Sequence, residues 1–184
     1  MKVLVLIKEP CPTSVKFVKA LKLLGKGKIA VTVISEVVSS SSIWKRLGYD
    51  IDIHRVIYPF GISLQEKMNT YFFGQSVAWR KILKELDSEA IDIVQTFTPD
   101  YLPILARRYM NKPVAHHFRE IQSIFPYHLF NKWTSSLYYP FKMSLLKKME
   151  REAIASGDIL SFDSPGSLEI VRAVIGSRPA VGSS

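Results

Sequence analysis

The feature that most constrains this chain is a change of period, repeated from end to end. Short apolar, β-branched runs alternate with segments whose apolar residues recur at helical spacing. Lys2 to Ile7, Ile29 to Ile34, Ile91 to Phe97, Lys112 to Phe118 and Ile159 to Phe162 are strand-length. Between them, Val15, Val18, Leu21 and Leu24 mark one helix; Leu64, Met68, Phe72, Trp79, Leu83 and Leu86 mark a long one. A run that is apolar on both faces suits a central strand of a parallel sheet, and parallel neighbours need crossover connections. The pattern predicts an α/β fold: an open parallel Rossmann-like sheet with helices on both faces.

Punctuation residues sharpen this outline. Gly25 and Gly27 end the first helix, and Ser42 caps a short helix that stops at Gly48. Asp50 to Val56 alternates apolar and polar, as expected of an edge strand, and Gly74 interrupts the long helix. A helix spans Tyr101 to Met110, and another spans residues 134 to 156, started or kinked at Pro140. Pro165 and Ser167 open a last helix through Val174, and residues 176 to 184 read as a Gly-, Ser- and Pro-containing linker. Residues 1 to 175 thus form one domain. A chain of 184 residues with 47% apolar and 22% charged residues is long enough to bury a core of its own.

Composition narrows the function classes. The apolar runs fall far short of the roughly 20 residues that cross a bilayer. The N-terminal run is followed by Lys8, Glu9 and Pro10 rather than a cleavage site, so a cytoplasmic location is expected. The single cysteine, Cys11, offers neither an internal disulfide nor a metal cluster. The net charge of +9 comes without a nucleic-acid motif, so no nucleic-acid partner is expected. Residues 132 to 151 combine Lys132, Lys142, Lys147, Lys148 and Arg151 with Trp133, Tyr138, Tyr139 and Phe141. That mixture suits peripheral contact with the inner membrane face, or equally a solvated helix over an aromatic core.

Three segments carry a family resemblance. They are Ile91-Asp-Ile-Val-Gln-Thr-Phe-Thr-Pro99, Lys112-Pro-Val-Ala-His-His-Phe-Arg-Glu120, and the passage from Met149 through Ala155, Asp158 and Ser161 to Ser164. In order and spacing the chain resembles the N-terminal domain of family 4 retaining glycosyltransferases, which have the two-domain GT-B architecture. The resemblance implies the acceptor-side half of an enzyme that moves a sugar from a nucleotide-sugar to a hydroxyl of a glycan, lipid or small molecule. It implies no cofactor and no metal, with the nucleotide-sugar as co-substrate held mainly by a C-terminal donor-binding domain. That domain is not in the chain, and the linker-like tail stands where it would begin or where a partner chain would take over. The chain departs from the family after the first strand, where a Gly-Gly pair is usual and Lys8-Glu-Pro-Cys-Pro-Thr-Ser14 stands instead.

The same resemblance nominates residues. Arg119 and Glu120, at the end of the fifth strand, stand where relatives place the charged pair facing the donor sugar. A fixed cation there would stabilise the departing phosphate and a carboxylate would orient hydroxyls; the plain alternative is a surface ion pair. His116 and His117 point to opposite faces of the strand, so they cannot chelate one metal. His117 shares its side with Arg119 and is expected in the cleft, while His116 is expected in the core. Pro10, Cys11, Pro12, Thr13 and Ser14 form the expected gating loop, and Pro99 is expected on the substrate side as well. Ser164, at the end of the sixth strand, resembles the family's serine before a helix, placed to bind an anion or simply to cap that helix. The competing reading is a non-catalytic subunit that docks an acceptor or membrane for a separate catalytic chain.

Overall fold

A computed structural model describes residues 1–8, 10–36, 52–58, 62–87, 90–97, 101–118 and 138–162, with 165, 166, 168, 169 and 171. Strands β1 (Lys2–Ile7), β2 (Ala30–Ser35), β3 (Arg55–Val56), β4 (Ile93–Phe97), β5 (Val114–Phe118) and β6 (Ile159–Phe162) form one sheet in the order β3-β2-β1-β4-β5-β6. Every pairing is parallel. Helices α1 (Pro12–Gly25), α2 (Leu64–Phe73), α3 (Val77–Asp87), α4 (Leu102–Tyr109) and α5 (Tyr138–Ser156) make the crossovers. This is a Rossmann-like sheet flanked by helices, as the alternating periods predict.

The pleat of β1 shows why its apolar run is unbroken. Leu4 and Leu6 face one side with Ile34, Val94 and Val114, against Trp79, Leu83, Leu102, Leu105, Met149 and Ala153 of α3, α4 and α5. Val3, Val5 and Ile7 face the other with Val33 and Phe97, against Val18 of α1. A strand covered on both faces cannot alternate with polar residues. At the far end of the sheet, Phe118 packs with Ile154 and Val171.

The interruption expected at Gly74 is present and splits the helix of residues 64 to 86 in two: Gly74 takes the left-handed conformation (φ 53°) and closes α2. Its N–H reaches the Thr70 carbonyl at 3.0 Å, the next N–H reaches Asn69 at 3.2 Å, and Arg108 of α4 donates to the Phe73 and Gly74 carbonyls. Ser76 then starts α3, its Oγ accepting from the Trp79 N–H at 3.1 Å. With the axis broken, Leu64 and Met68 face solvent instead of continuing the Trp79–Leu83–Leu86 stripe. Leu24 likewise lies outside the core, because α1 buries only its Val15 and Val18 side before Gly25. The edge strand is confined to Arg55–Val56, and the expected helix of residues 42 to 48 and the tail lie outside the described residues.

Gly74→Ala should lower stability by about 1–2 kcal/mol, the cost of forcing an L side chain into the left-handed region. The added Cβ would also stand 3.1 Å from Ile104 Cγ2. Urea melts of the two proteins check this; an unchanged midpoint would mean that the α2–α3 break is held without glycine.

Candidate functional site

Strand order reverses between β1 and β4: the chain moves outward from β1 through β2 to β3, then returns to β4 on the other flank. Connections leaving the carboxyl ends of β1 and β4 therefore diverge, and the opening between them is where open α/β sheets take ligands. Leu6 of β1 lies level with Ile34 of β2 and Thr96 of β4, so these three strands end together.

Polar residues converge at that edge. Lys8 follows β1, Glu36 follows β2 and Tyr101 precedes α4. Glu36 is buried, and the Tyr101 hydroxyl donates a short hydrogen bond to its Oε1. The Lys8 ammonium lies 4.7 Å above the Tyr101 ring. The stack ties three loops together: the Ser35 hydroxyl donates to the Lys8 carbonyl at 3.1 Å, and the Tyr58 N–H donates to the Glu36 carbonyl at 2.9 Å. Tyr58 continues the network inward, its hydroxyl 3.0 Å from Glu66 Oε1 and 2.9 Å from Ser76 Oγ. Burial pushes the Tyr58 phenol well above its ordinary range; Ser76 pulls the other way, while Glu66 and then Glu36 add to the rise. Tyr58 is thus a fixed neutral donor to a carboxylate, a supporting beam under the edge.

The segment expected as a gating loop is mostly helix. Cys11 is the residue before α1, and Pro12, Thr13 and Ser14 are its first turn. Ser14 is fully buried; its Oγ accepts from the Cys11 N–H at 3.1 Å and donates to the Cys11 carbonyl at 3.0 Å. Its hydroxyl is thereby committed to the helix start. Cys11, Pro12 and Thr13 stay partly exposed and Pro10 is buried.

His116 and His117 separate as the strand period requires. His116 is fully buried, with its Nδ1 2.6 Å from Thr96 Oγ1 and its ring edge-on to Phe118 at 4.2 Å. His117 is partly exposed on the α1 side, with Nδ1 2.9 Å from Ser161 Oγ and its ring 6.0 Å from that of Phe97. Phe97 in turn meets Phe17 of α1 at 5.2 Å, so an aromatic file leads from α1 to His117. Arg119, Glu120, Pro99 and Ser164 lie outside the described residues. Among the described residues, no group of three His, Cys, Asp or Glu side chains could hold a metal ion, and no helix is long and apolar enough to cross a membrane.

Glu36, Tyr101 and Tyr58 escaped the sequence reading. The available signal was a charged residue two positions after the β-branched run Val31 to Ile34 and an aromatic one at a helix start. Neither suggests that the two would meet.

No protein-family model matches the chain, and no curated protein matches it in sequence. Among solved structures it is similar to the UDP-GlcNAc 2-epimerase of Methanocaldococcus jannaschii, with a TM-score of 0.49 and 14% identity. The alignment covers 95% of this chain and 42% of that one, so the chain spans less than half the length of the structure it matches.

Proposed function

We propose that this chain is the acceptor-side lobe of a retaining glycosyltransferase of the GT-B kind, acting on a nucleotide-sugar. The observation that carries the reading is the reversal between β1 and β4 in an all-parallel sheet, with Lys8, Glu36 and Tyr101 gathered at the carboxyl edge. An opening of that kind accepts a small polar ligand. The resemblance of residues 91 to 99, 112 to 120 and 149 to 164 to glycosyltransferase segments supports the choice of sugar chemistry. Roles follow from position. Arg119 and Glu120 come directly after β5 in sequence and would serve the departing phosphate and the sugar hydroxyls. His117, Cys11, Pro12 and Thr13 would line the acceptor side, with Pro10, Ser14, Pro99 and Ser164 shaping the same edge. A nicotinamide role is disfavoured by Glu36. The carboxylate that would meet a dinucleotide ribose is buried and already bonded to Tyr101.

A second reading, a docking subunit for a separate catalytic chain, draws on the missing glycine pair after β1 and on the buried Ser14 hydroxyl. Both reduce close backbone approach to a phosphate at that turn.

The test is a panel of nucleotide diphosphate sugars offered to the complete protein, with product stereochemistry read by NMR. Transfer with retained anomeric configuration is expected, and inversion or epimerisation without transfer would overturn the reading. Residues 1–184 alone should bind every donor more weakly than micromolar, short of about −8 kcal/mol. Tighter binding would move the donor site onto this lobe.

A further inference from the structure

Helix α1 carries a surface that the carboxyl-edge site does not use. From Pro10 to Ser35 the chain has five lysines, Lys16, Lys19, Lys22, Lys26 and Lys28, and no acidic residue. All five are exposed. At the end of the helix Leu23 and Leu24 are adjacent and 76% and 79% exposed. Two adjacent exposed leucines among these lysines give the end of the helix an apolar tip with a basic surround.

Their projection is built in. Val15 and Val18 take the sheet-facing side of α1. Gly25 then packs so tightly that a Cβ there would stand 2.8 Å from Ile29 Cβ, and Lys26 turns the chain in the left-handed conformation. The Lys28 N–H closes the turn on the Gly25 carbonyl at 2.7 Å. Met1, 59% exposed, joins the tip because its ammonium donates to the Lys28 carbonyl at 3.1 Å. Carboxylates stand nearby as well: Asp52 lies 3.4 Å from Lys22 Nζ, and Asp92 accepts from the Lys2 N–H and lies 4.0 Å from the Met1 ammonium.

We propose that the outer face and C-terminal end of α1 dock this chain on an anionic lipid surface. Leu23 and Leu24 enter the boundary between headgroups and acyl chains, and the lysines of the helix and its turn range over the headgroups. The chemistry selects this occupant. Aliphatic side chains gain most from an acyl boundary, lysine stems extend their charges upward to phosphates, and the positive sign matches anionic lipid. A single-stranded nucleic acid would also call for stacking aromatics, whereas the one aromatic of α1, Phe17, packs on Phe97. Because α1 runs back from the carboxyl edge to the amino edge of the sheet, docking by its end leaves the opening between β1 and β4 turned toward water. The inference stands apart from the transferase reading and holds for any soluble ligand of that opening.

Co-sedimentation of the chain with vesicles tests it, using phosphatidylcholine alone and phosphatidylcholine mixed with phosphatidylglycerol. The chain should pellet with the mixed vesicles only, and should be released near 1 M salt, where screening shortens to about 3 Å. The double variant Leu23→Ser, Leu24→Ser should keep its melting temperature and lose at least about tenfold in partitioning, while Lys147→Glu, Lys148→Glu in α5 should still bind. Equal pelleting with phosphatidylcholine alone, or an unchanged leucine variant, overturns the proposal. Loss confined to the α5 variant overturns it in favour of residues 132 to 151. A solution dimer that the leucine variant dissociates, seen by light scattering, assigns the face to a second copy instead.

Discussion

Lowering the pH from 7 to 4 should destabilise this chain steeply, and His116 should account for much of the slope. The ring is fully buried between Thr96 and Phe118, and among the described residues its Nε2 has no hydrogen-bond partner. Desolvation, helped by the neighbouring His117, lowers its pKa from 6.5 to about 3. The hydrogen-bond chain suggests the tautomer. With the proton on Nδ1 donated to Thr96 Oγ1, the Thr96 hydroxyl is free to donate to the Ala115 carbonyl at 3.5 Å, and only the Nε2 lone pair is left over.

A depressed folded-state pKa fixes the sign. Below 6.5 the unfolded chain takes up a proton that the folded chain refuses until about pH 3. Stability is therefore fully present above 6.5 and falls as the pH drops through that window, by about 1.4 kcal/mol per pH unit at most. The loss is on the order of a few kcal/mol, a large share of the 5–15 kcal/mol by which domains are usually stable. Urea melts at several pH values compare wild type with His116→Asn, which keeps a polar group near the Nδ1 position and cannot titrate. The variant should be less stable at pH 7, having lost its ring contact with Phe118, and show a shallower pH slope. Parallel slopes would mean that the carboxylates alone govern acid unfolding. If the variant does not fold, NMR of wild type decides the point, because the His116 ring should remain neutral at pH 4.5.

The sheet was legible because burial on both faces leaves unbroken, β-branched-rich runs of strand length between turn residues: Val3 to Ile7 are all apolar, and all are buried. Even β6 kept its predicted bounds. Helix surfaces were harder to read. Leu64 and Met68 fit the period of Trp79 and Leu83; the break at Gly74 was legible, yet periodicity does not show that the new axis set by Arg108 and Ser76 leaves both outside the core. Leu23 and Leu24 show the same limit from the other side. An apolar residue predicts burial only where a partner surface exists, and α1 offers the sheet just one side. At the carboxyl edge, the Glu36–Tyr101 bond joins residues 65 positions apart, a contact set by strand order rather than by any local pattern. The two histidines were separable because alternation along a strand is strict: one went to the core and the other to the α1 side.

If the proposed transferase reading holds, Arg119→Ala should lower turnover by ~10²–10³ while moving stability by less than ~1 kcal/mol. Arg119 directly follows Phe118, the last residue of β5, in the sequence of an all-parallel sheet whose carboxyl edge gathers Lys8, Glu36 and Tyr101. Phe118 itself is 1% exposed. A cation preorganised beside a departing phosphate acts without reorganising first, and a contact of that sort is one whose loss costs this much rate. Glu120→Gln, which would keep the shape of its side chain and remove the charge, should cost less if its role is to orient hydroxyls. Paired kinetics and thermal melts separate the outcomes. A large fall in kcat with an unchanged melt makes Arg119 part of the reaction. Full activity with a collapsed melt makes it a structural ion-pair partner and returns the carboxyl edge to Lys8, whose ammonium already stands over Tyr101 at the mouth between β1 and β4.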